Sequence, residues 1–365
     1  LTIERSNTDK VLLYIDDARK HEIRVLPPDV NQSLWGFTVV DDGIRFGLSA
    51  VKNVGDTAVG SIIEGREQVG RYESVDQFLE SVDPKRVNKR VFESLIKCGA
   101  FDSLGHTRCS LFACLDALVE TASRTAQDKA IGQESLFGGQ PAAGVQIPDL
   151  EEWPEKERLA NEKEALGFFI SGHPMDAYSE EVARFANQDT TSLQQCKDGA
   201  DVAIAGTLSG VQRKLNRKGD PWTLARLEDM VGGVAIKFFA KANREYGDAL
   251  VEDVPLLVEG RASRGLDGSV ELLGDKARLL ETVRQEGTRQ MWLHLAAERV
   301  DEGSLDKLRT LLEACPGPCK TGLRLTVGGE ATIDVNLPDA IQVAATDDLR
   351  DGINRLFEGR VVKYR

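Results

Sequence analysis

The spacing of apolar residues changes character along this chain, and each change predicts a different architecture. Near the start, Val11, Leu12, Ile15 and Ala18 recur at helical intervals and predict a helix over 9–21. Pro27 and Pro28 forbid helix in 25–31, and short strands are expected at 35–40 and 43–46 around the turn Asp41-Asp42-Gly43. From 48 to 120 the pattern predicts helices at 48–52, 56–65, 74–82, 88–98 and 106–120, separated by glycine-centred turns. A strongly charged helix is expected over 151–169, ending at Ser171-Gly172-His173-Pro174. Between 200 and 280 the period becomes two, with strands expected at 202–208, 222–227, 234–239, 255–260 and 270–273 and a short helix near 241–250. These are the parts of an oligonucleotide/oligosaccharide-binding (OB) barrel. Beyond 290, strands at 290–295, 322–327 and 330–335 alternate with helices at 304–314 and 346–357, which predicts a small α+β unit.

Bulk numbers narrow the classes. The length of 365 residues allows two or three compact units, and 41% hydrophobic with 29% charged residues lets each bury a core. A formal net charge of -13 excludes wholesale attraction to nucleic acid or an anionic membrane, so any nucleic-acid contact has to come from local basic patches. No apolar run approaches the roughly 20 residues of a membrane span and no signal peptide opens the chain, so no membrane partner is expected and the location is read as cytoplasmic. The opening Leu1-Thr2-Ile3-Glu4-Arg5 reads like the interior of something longer, and the chain is expected to be a fragment. Six cysteines form no Cys-x-x-Cys pair; Cys315-Pro316-Gly317-Pro318-Cys319 reads as a turn flanked by free thiols, and no metal site is expected. Asp16-Asp17, Asp41-Asp42 and Asp347-Asp348 read as solvated acids, and His173 as the cap of a helix end. No Walker loop, nucleophile elbow or metalloprotease helix is present, and no catalytic residue is assigned.

Three segments carry binding chemistry. Gln133-Glu134-Ser135-Leu136-Phe137 places an apolar pair beside the Gly/Pro/Ala-rich run 138–144, which builds no core of its own. Gln133, Leu136 and Phe137 either pack onto their own domain at a helix end or serve as a peptide anchor for a partner's pocket. The second segment, 47–58, reads as helix, glycine turn, helix. In such a hairpin Lys52, Asn53, Val54, Gly55 and Thr57 surround a small anion site suited to a DNA phosphate. A second copy is expected with Lys89 and Arg90 on its first helix, a turn at Gly99, and Arg108 on its second. Between Pro84 and Ser110, Lys85, Arg86, Lys89, Arg90, Lys97 and Arg108 outnumber Glu93 and Asp102, a local excess of four positive charges. The competing reading is a helical hairpin with a solvated basic face. Third, Arg213, Lys214, Arg217 and Lys218 precede Trp222 at the barrel's expected first turn, where barrels of this class grip single strands. Trp222 is either core or a base-stacking surface. Of Phe238 and Phe239, alternation requires one to be core.

The order of these parts resembles the C-terminal third of the bacterial replicative DNA polymerase III alpha subunits, a C-family polymerase group. The resemblance is carried by 26–31 (Leu-Pro-Pro-Asp-Val-Asn), 46–55 (Phe-Gly-Leu-Ser-Ala-Val-Lys-Asn-Val-Gly), 95–102, 133–137, 162–174 and Leu227-Glu228-Asp229, in the same order and spacing from residue 1 to about 285. It implies a multidomain α and β fold: the end of the fingers at 1–47, a tandem helix-hairpin-helix domain gripping duplex DNA at 48–120, and a linker with a sliding-clamp motif at 121–150. A helical connector at 151–198, an OB-fold domain near single-stranded template at 199–285, and a C-terminal domain at 286–365 meeting the clamp-loader tau subunit complete the map. Family clamp motifs are similar to Gln-x-x-Leu-Phe, which Gln133, Leu136 and Phe137 fill. The family's polymerase carboxylates, and the Mg2+ they use, belong to a palm upstream of Leu1, so no cofactor is expected here and the chain alone is expected to be inactive as a polymerase. Two rivals are a freestanding helix-hairpin-helix/OB-fold repair protein and an error-prone polymerase paralogue; the clamp motif speaks against the second.

Overall fold

The computed structural model describes residues 1–3, 10–11, 14–15, 17–18, 21–131, 145–265, 268–328 and 331–365. They form two compact units, Leu1–His173 and Pro174–Arg365. The stretch 151–198, expected to be one connector, is divided between them.

In the first unit, β1 (Val25–Leu26), β2 (Thr38–Val40) and β3 (Gly43–Arg45) make a small sheet in which β3 lies between the other two. Six helices follow: α1 (Asp56–Val69), α2 (Val75–Ser81), α3 (Lys89–Lys97), α4 (Arg108–Ala113), α5 (Leu115–Ile131) and α6 (Glu155–Leu166). Three of these starts are fixed by capping side chains. Ser74, Asn88 and Thr107 accept hydrogen bonds from the backbone N–H groups of Gln77, Val91 and Ser110, which fixes where α2, α3 and α4 begin. The core is aromatic at its centre: Phe101 meets Phe78 and Phe92 edge-on, each with ring centroids 4.9 Å apart. Two expectations fail locally. The helix expected at 48–52 is a single 3-10 turn, Leu48–Ala50, because Val51 is extended and Asn53 is left-handed with φ 67°. The helix expected at 106–120 breaks at Cys114 into α4 and α5.

The second unit opens with α7 (Ser179–Phe185). Five strands then close a barrel: β4 (Asp201–Leu215), β5 (Pro221–Glu228), β6 (Gly233–Phe238), β7 (Leu256–Arg264) and β8 (Val270–Leu279), with α8 (Ala240–Tyr246) between β6 and β7. The pairing runs β4-β5-β6-β8-β7 and back to β4, with β6 and β8 parallel and all other pairs antiparallel. This is the OB connectivity that the period-two pattern predicts. Its interior is filled by alternating residues including Val202, Ile204, Leu227, Val234, Ile236, Phe238, Val258 and Leu272. Long β4 serves both neighbours, residues 201–206 pairing with β7 and 207–215 with β5, and the β5 ladder is itself interrupted by a register shift between Ser209 and Gln212 around left-handed Gly210.

After α9 (Leu280–Gly287) come β9 (Gln290–Ala296), α10 (Glu302–Ala314), β10 (Pro316–Val327), β11 (Ala331–Asn336), β12 (Gln342–Val343), α11 (Asp347–Leu356) and β13 (Val362–Tyr364). The sheet order is β11-β10-β9-β13, with β12 beside the start of β10. Strands β9 and β10 are parallel and joined through α10. Leu308, Leu312, Leu349 and Ile353 of α10 and α11 cover Met291, Leu293 and Leu295 of the sheet, giving the small α+β unit that was expected. The turn expected at 315–319 is instead the start of β10, and Cys319 is buried opposite Val343. Burial pushes its thiol up to about 11, the behaviour of a core residue.

Candidate nucleic-acid interface

Around the first glycine turn the sequence produces an open helix start. Gly55 is extended (φ -77°, ψ 164°) at the N-cap of α1, no side chain caps that helix, and the space beside its Cα is empty. The first-turn N–H groups of a 14-residue helix therefore face outward with the positive end of its dipole. Lys52 and Thr57 are exposed beside them, whereas Val54 is buried and contributes backbone only. The Lys52 N–H donates to the Ala165 carbonyl at 2.8 Å, and the Asn53 Nδ2 donates to Ser94 Oγ at 3.0 Å. Asn53 thus holds the loop in place and is spent on that task.

The second turn is built differently. Gly99 is left-handed with φ 79°, and a Cβ there would strike the Arg108 guanidinium. Arg108, expected to meet DNA, is buried: it donates from Nε and Nη2 to the two Asp102 carboxylate oxygens at 3.0 and 2.7 Å and from Nη1 to the Lys97 carbonyl at 3.3 Å. The fully buried Glu162 carboxylate lies 3.6 Å from the same guanidinium. Lys97 is likewise buried, paired with Glu93 at 2.8 Å and Glu164 at 2.9 Å. Both cations are internal ties, which corrects the DNA-contact expectation for Arg108 and reduces the counted local excess. Gly99 serves that tie. Lys89 is exposed but paired with Asp116; Arg90 is exposed.

On the barrel, Arg213 and Lys214 lie on β4 and Arg217 and Lys218 in the connection to β5, all exposed. The connection is stiff, since Asn216 Oδ1 accepts from the N–H groups of Lys218 and Asp220 at 2.8 and 2.9 Å and Gly219 is left-handed. Trp222 faces Lys214 across the strands, with the ammonium 5.6 Å from the ring centroid. It is half-buried at the rim, so the core reading does not hold. Phe238 is fully buried and Phe239 is 55% exposed, its ring centroid 6.3 Å from that of Trp222. Sequence alternation required one core phenylalanine, and strand β6 shows which. Gln133, Leu136 and Phe137 lie outside the described residues. Among the described residues no group of three or more His, Cys, Asp or Glu is placed to hold a metal ion, and no helix is long and apolar enough to cross a membrane.

Comparison with known proteins adds to this geometry. A helix-hairpin-helix motif family matches residues 22–111. The DNA polymerase III subunit alpha of Saccharopolyspora erythraea is 39% identical over 343 residues, covering 89% of this chain and 28% of that protein. Its namesake from Mycobacterium tuberculosis is 34% identical over 98% of the chain and 31% of its own length, and that of Thermus aquaticus 36% identical over 89% and 26%. The chain matches one region of the DNA polymerase III alpha subunits. It spans about three tenths of the relatives' length. The helix-hairpin-helix match takes in both glycine turns, Gly55 and Gly99. A yeast mitochondrial single-stranded DNA-binding protein, Rim1, aligns with 23% of the chain at 14% identity and a TM-score of 0.20, too low to bear on the barrel, whose assignment rests on its own strand pairing.

Proposed function

We propose that this region holds DNA and the sliding clamp for a replicative DNA polymerase III alpha subunit, giving processive synthesis through several weak contacts, while nucleotide incorporation is carried out by residues outside it. Duplex phosphate sits at Lys52, Gly55 and Thr57, with Lys89 and Arg90 flanking. Single-stranded template meets Arg213, Lys214, Arg217, Lys218 and Trp222. Gln133, Leu136 and Phe137 anchor the beta sliding clamp, and 286–365 meets the clamp-loader tau subunit. On this reading the protein works in the cytoplasm.

The observation that carries the reading is the uncapped start of α1 at Gly55 inside the helix-hairpin-helix match, an arrangement suited to a phosphate and unsuited to base readout. Burial of Leu136 and Phe137 is worth about 1.5 to 3 kcal/mol each, so the clamp contact is modest alone. On a DNA-bound polymerase it becomes intramolecular and effective.

Gly55→Asp tests the duplex contact cleanly, because the open space beside Gly55 accepts a side chain. A carboxylate there should weaken duplex binding by about tenfold and lower the salt slope by about 1; unchanged affinity and slope would reject the site. For the clamp, a Leu136→Ala, Phe137→Ala double variant should lose binding to the cognate clamp, and equal binding would remove the anchor from the mechanism. Primer extension by this chain alone should be absent.

A further inference from the structure

We infer that the single strand held at the barrel's first loop leaves it across Phe239 and onto α8, with Phe239 as the main base-stacking surface and Lys241 and Arg244 as phosphate contacts. The inference rests on the single-strand reading of the barrel and extends it to residues outside the loop.

Charge placement sets the direction. On the wall formed by β6, β8 and β7, four of the five cations are matched by carboxylates, Lys237 with Glu271, Arg261 with Asp275 at 3.2 Å, Lys276 with Glu259 at 3.0 Å and Arg278 with Glu259 at 3.1 Å, and the fifth, Arg264, donates to the Cys196 and Gln194 carbonyls. A polyanion gains little from a surface already neutralised in this way. At the loop end the situation is reversed. Among the described residues Lys214, Arg217, Lys218 and Lys241 have no ion-pair partner, and Arg244 makes only a 3.8 Å approach to Asp220. These cations are contiguous because α8 is fastened to the loop strands. Thr223 Oγ1 donates to Asn243 Oδ1 at 2.5 Å, Arg213 Nη2 donates to the Gly247 carbonyl at 3.4 Å, and Ala242 is buried. Lys241 and Arg244, three apart and both exposed, share one helix face.

The aromatic pair points the same way. Lys214 already lies over the Trp222 ring, whereas Phe239, one residue past the end of β6, exposes more than half its surface in a barrel whose other aromatic on that strand is fully buried. A phenyl ring held between Trp222 and a cationic helix is a sequence-tolerant platform for a base. In sequence the signal is Phe239-x-Lys241-x-x-Arg244, an aromatic followed by two cations on one face just after a strand.

The test is fluorescence anisotropy of a short labelled oligothymidylate with the full chain, comparing the native protein, Phe239→Ala, Phe239→Tyr, a Lys241→Ala, Arg244→Ala pair, and a loop variant with Arg213, Lys214, Arg217 and Lys218 all changed to alanine. Thermal melting confirms that these surface variants fold. Phe239→Ala should bind about tenfold more weakly at an unchanged salt slope, with Phe239→Tyr restoring affinity. The cation pair should lower the slope by about 1.4. If the loop variant loses binding while Phe239→Ala or the cation pair behaves as native, the path across α8 is wrong and the loop reading stands. If the native chain does not bind, or the loop variant binds equally well, the single-strand reading fails and this inference with it.

Discussion

Two glycines that look alike in sequence do opposite work. Gly55 has a backbone any residue adopts and empty space beside it, so Gly55→Ala should leave stability within about 0.5 kcal/mol of native. Gly99 is left-handed and presses on Arg108; a side chain there costs about 1–2 kcal/mol in backbone strain alone and dislodges a buried ion pair besides. Gly99→Ala should therefore lower stability by more than about 2 kcal/mol, measured by denaturant unfolding, and an effect equal to that of Gly55→Ala would show that the Arg108 contact is dispensable. The same contrast separates the lysines and arginines. Lys52 and Arg90 are available to a ligand; Lys97 and Arg108 are already used inside the protein.

The helices and strands show which of these distinctions sequence carries. Alternation is a local property, so five barrel strands were readable from it, as was the need for one buried residue in the Phe238–Phe239 pair, though not which of the two. Helix starts were readable where Ser74, Asn88 and Thr107 cap them. The long second half of β4 was not, because the bulge at Gly210 breaks the alternation and 212–215 is entirely exposed, so Arg213 and Lys214 read as loop although they pair with Thr223 and Trp222. Nor was the fate of Arg108, whose partner Glu162 arrives from α6, 54 positions later in the chain; counting charges in a window misses a carboxylate that folding brings in. Glu162 also accepts the backbone N–H groups of Ile170 at 2.5 Å and Ser171 at 2.9 Å, so this one carboxylate fixes the turn after α6 and faces Arg108. Glu162→Ala leaves the Ile170 and Ser171 N–H groups without this acceptor and part of the buried Arg108 guanidinium charge without a partner, a loss of about 3–5 kcal/mol. Hydrogen exchange should quicken across α6 and the 99–108 turn and stay native within 174–365; uniform exchange across the chain would show that Glu162 is not a local tie.

Within 174–365 the barrel and the C-terminal sheet are joined by buried charge. Arg284 of α9 has a fully buried side chain, 2.5 Å from Glu181 of α7 and 2.7 Å from Asp347 at the start of α11, with its guanidinium 4.4 Å from the Tyr178 ring centroid and 5.0 Å from that of Tyr364. Arg350 adds a 2.8 Å contact to the same Asp347 oxygen, and the Tyr178 hydroxyl donates to the other. Helices α7, α9 and α11, strand β13 and the turn 174–178 thus meet at one ionic centre, which ties the position of the barrel to that of the C-terminal sheet more specifically than an apolar contact would. Arg284→Met, which strands Glu181 and Asp347, should cost about 3–5 kcal/mol. Acid tests the charge itself. Burial would raise the Asp347 carboxyl, but Arg350 and Arg284 outweigh it and hold the group below the usual carboxylate range. A carboxylate whose folded pKa is depressed stabilises fully above its unfolded value, near pH 4, and loses that contribution as pH falls through the lower folded value. Native protein should keep protection across 280–287 and 347–356 at neutral pH and lose it steeply below about pH 4. Asp347→Asn should be weakly protected there already at neutral pH and fall more shallowly in acid. Parallel acid limbs in the two proteins would mean that the joint is held by packing around Tyr178 and Tyr364, with the Asp347 charge incidental.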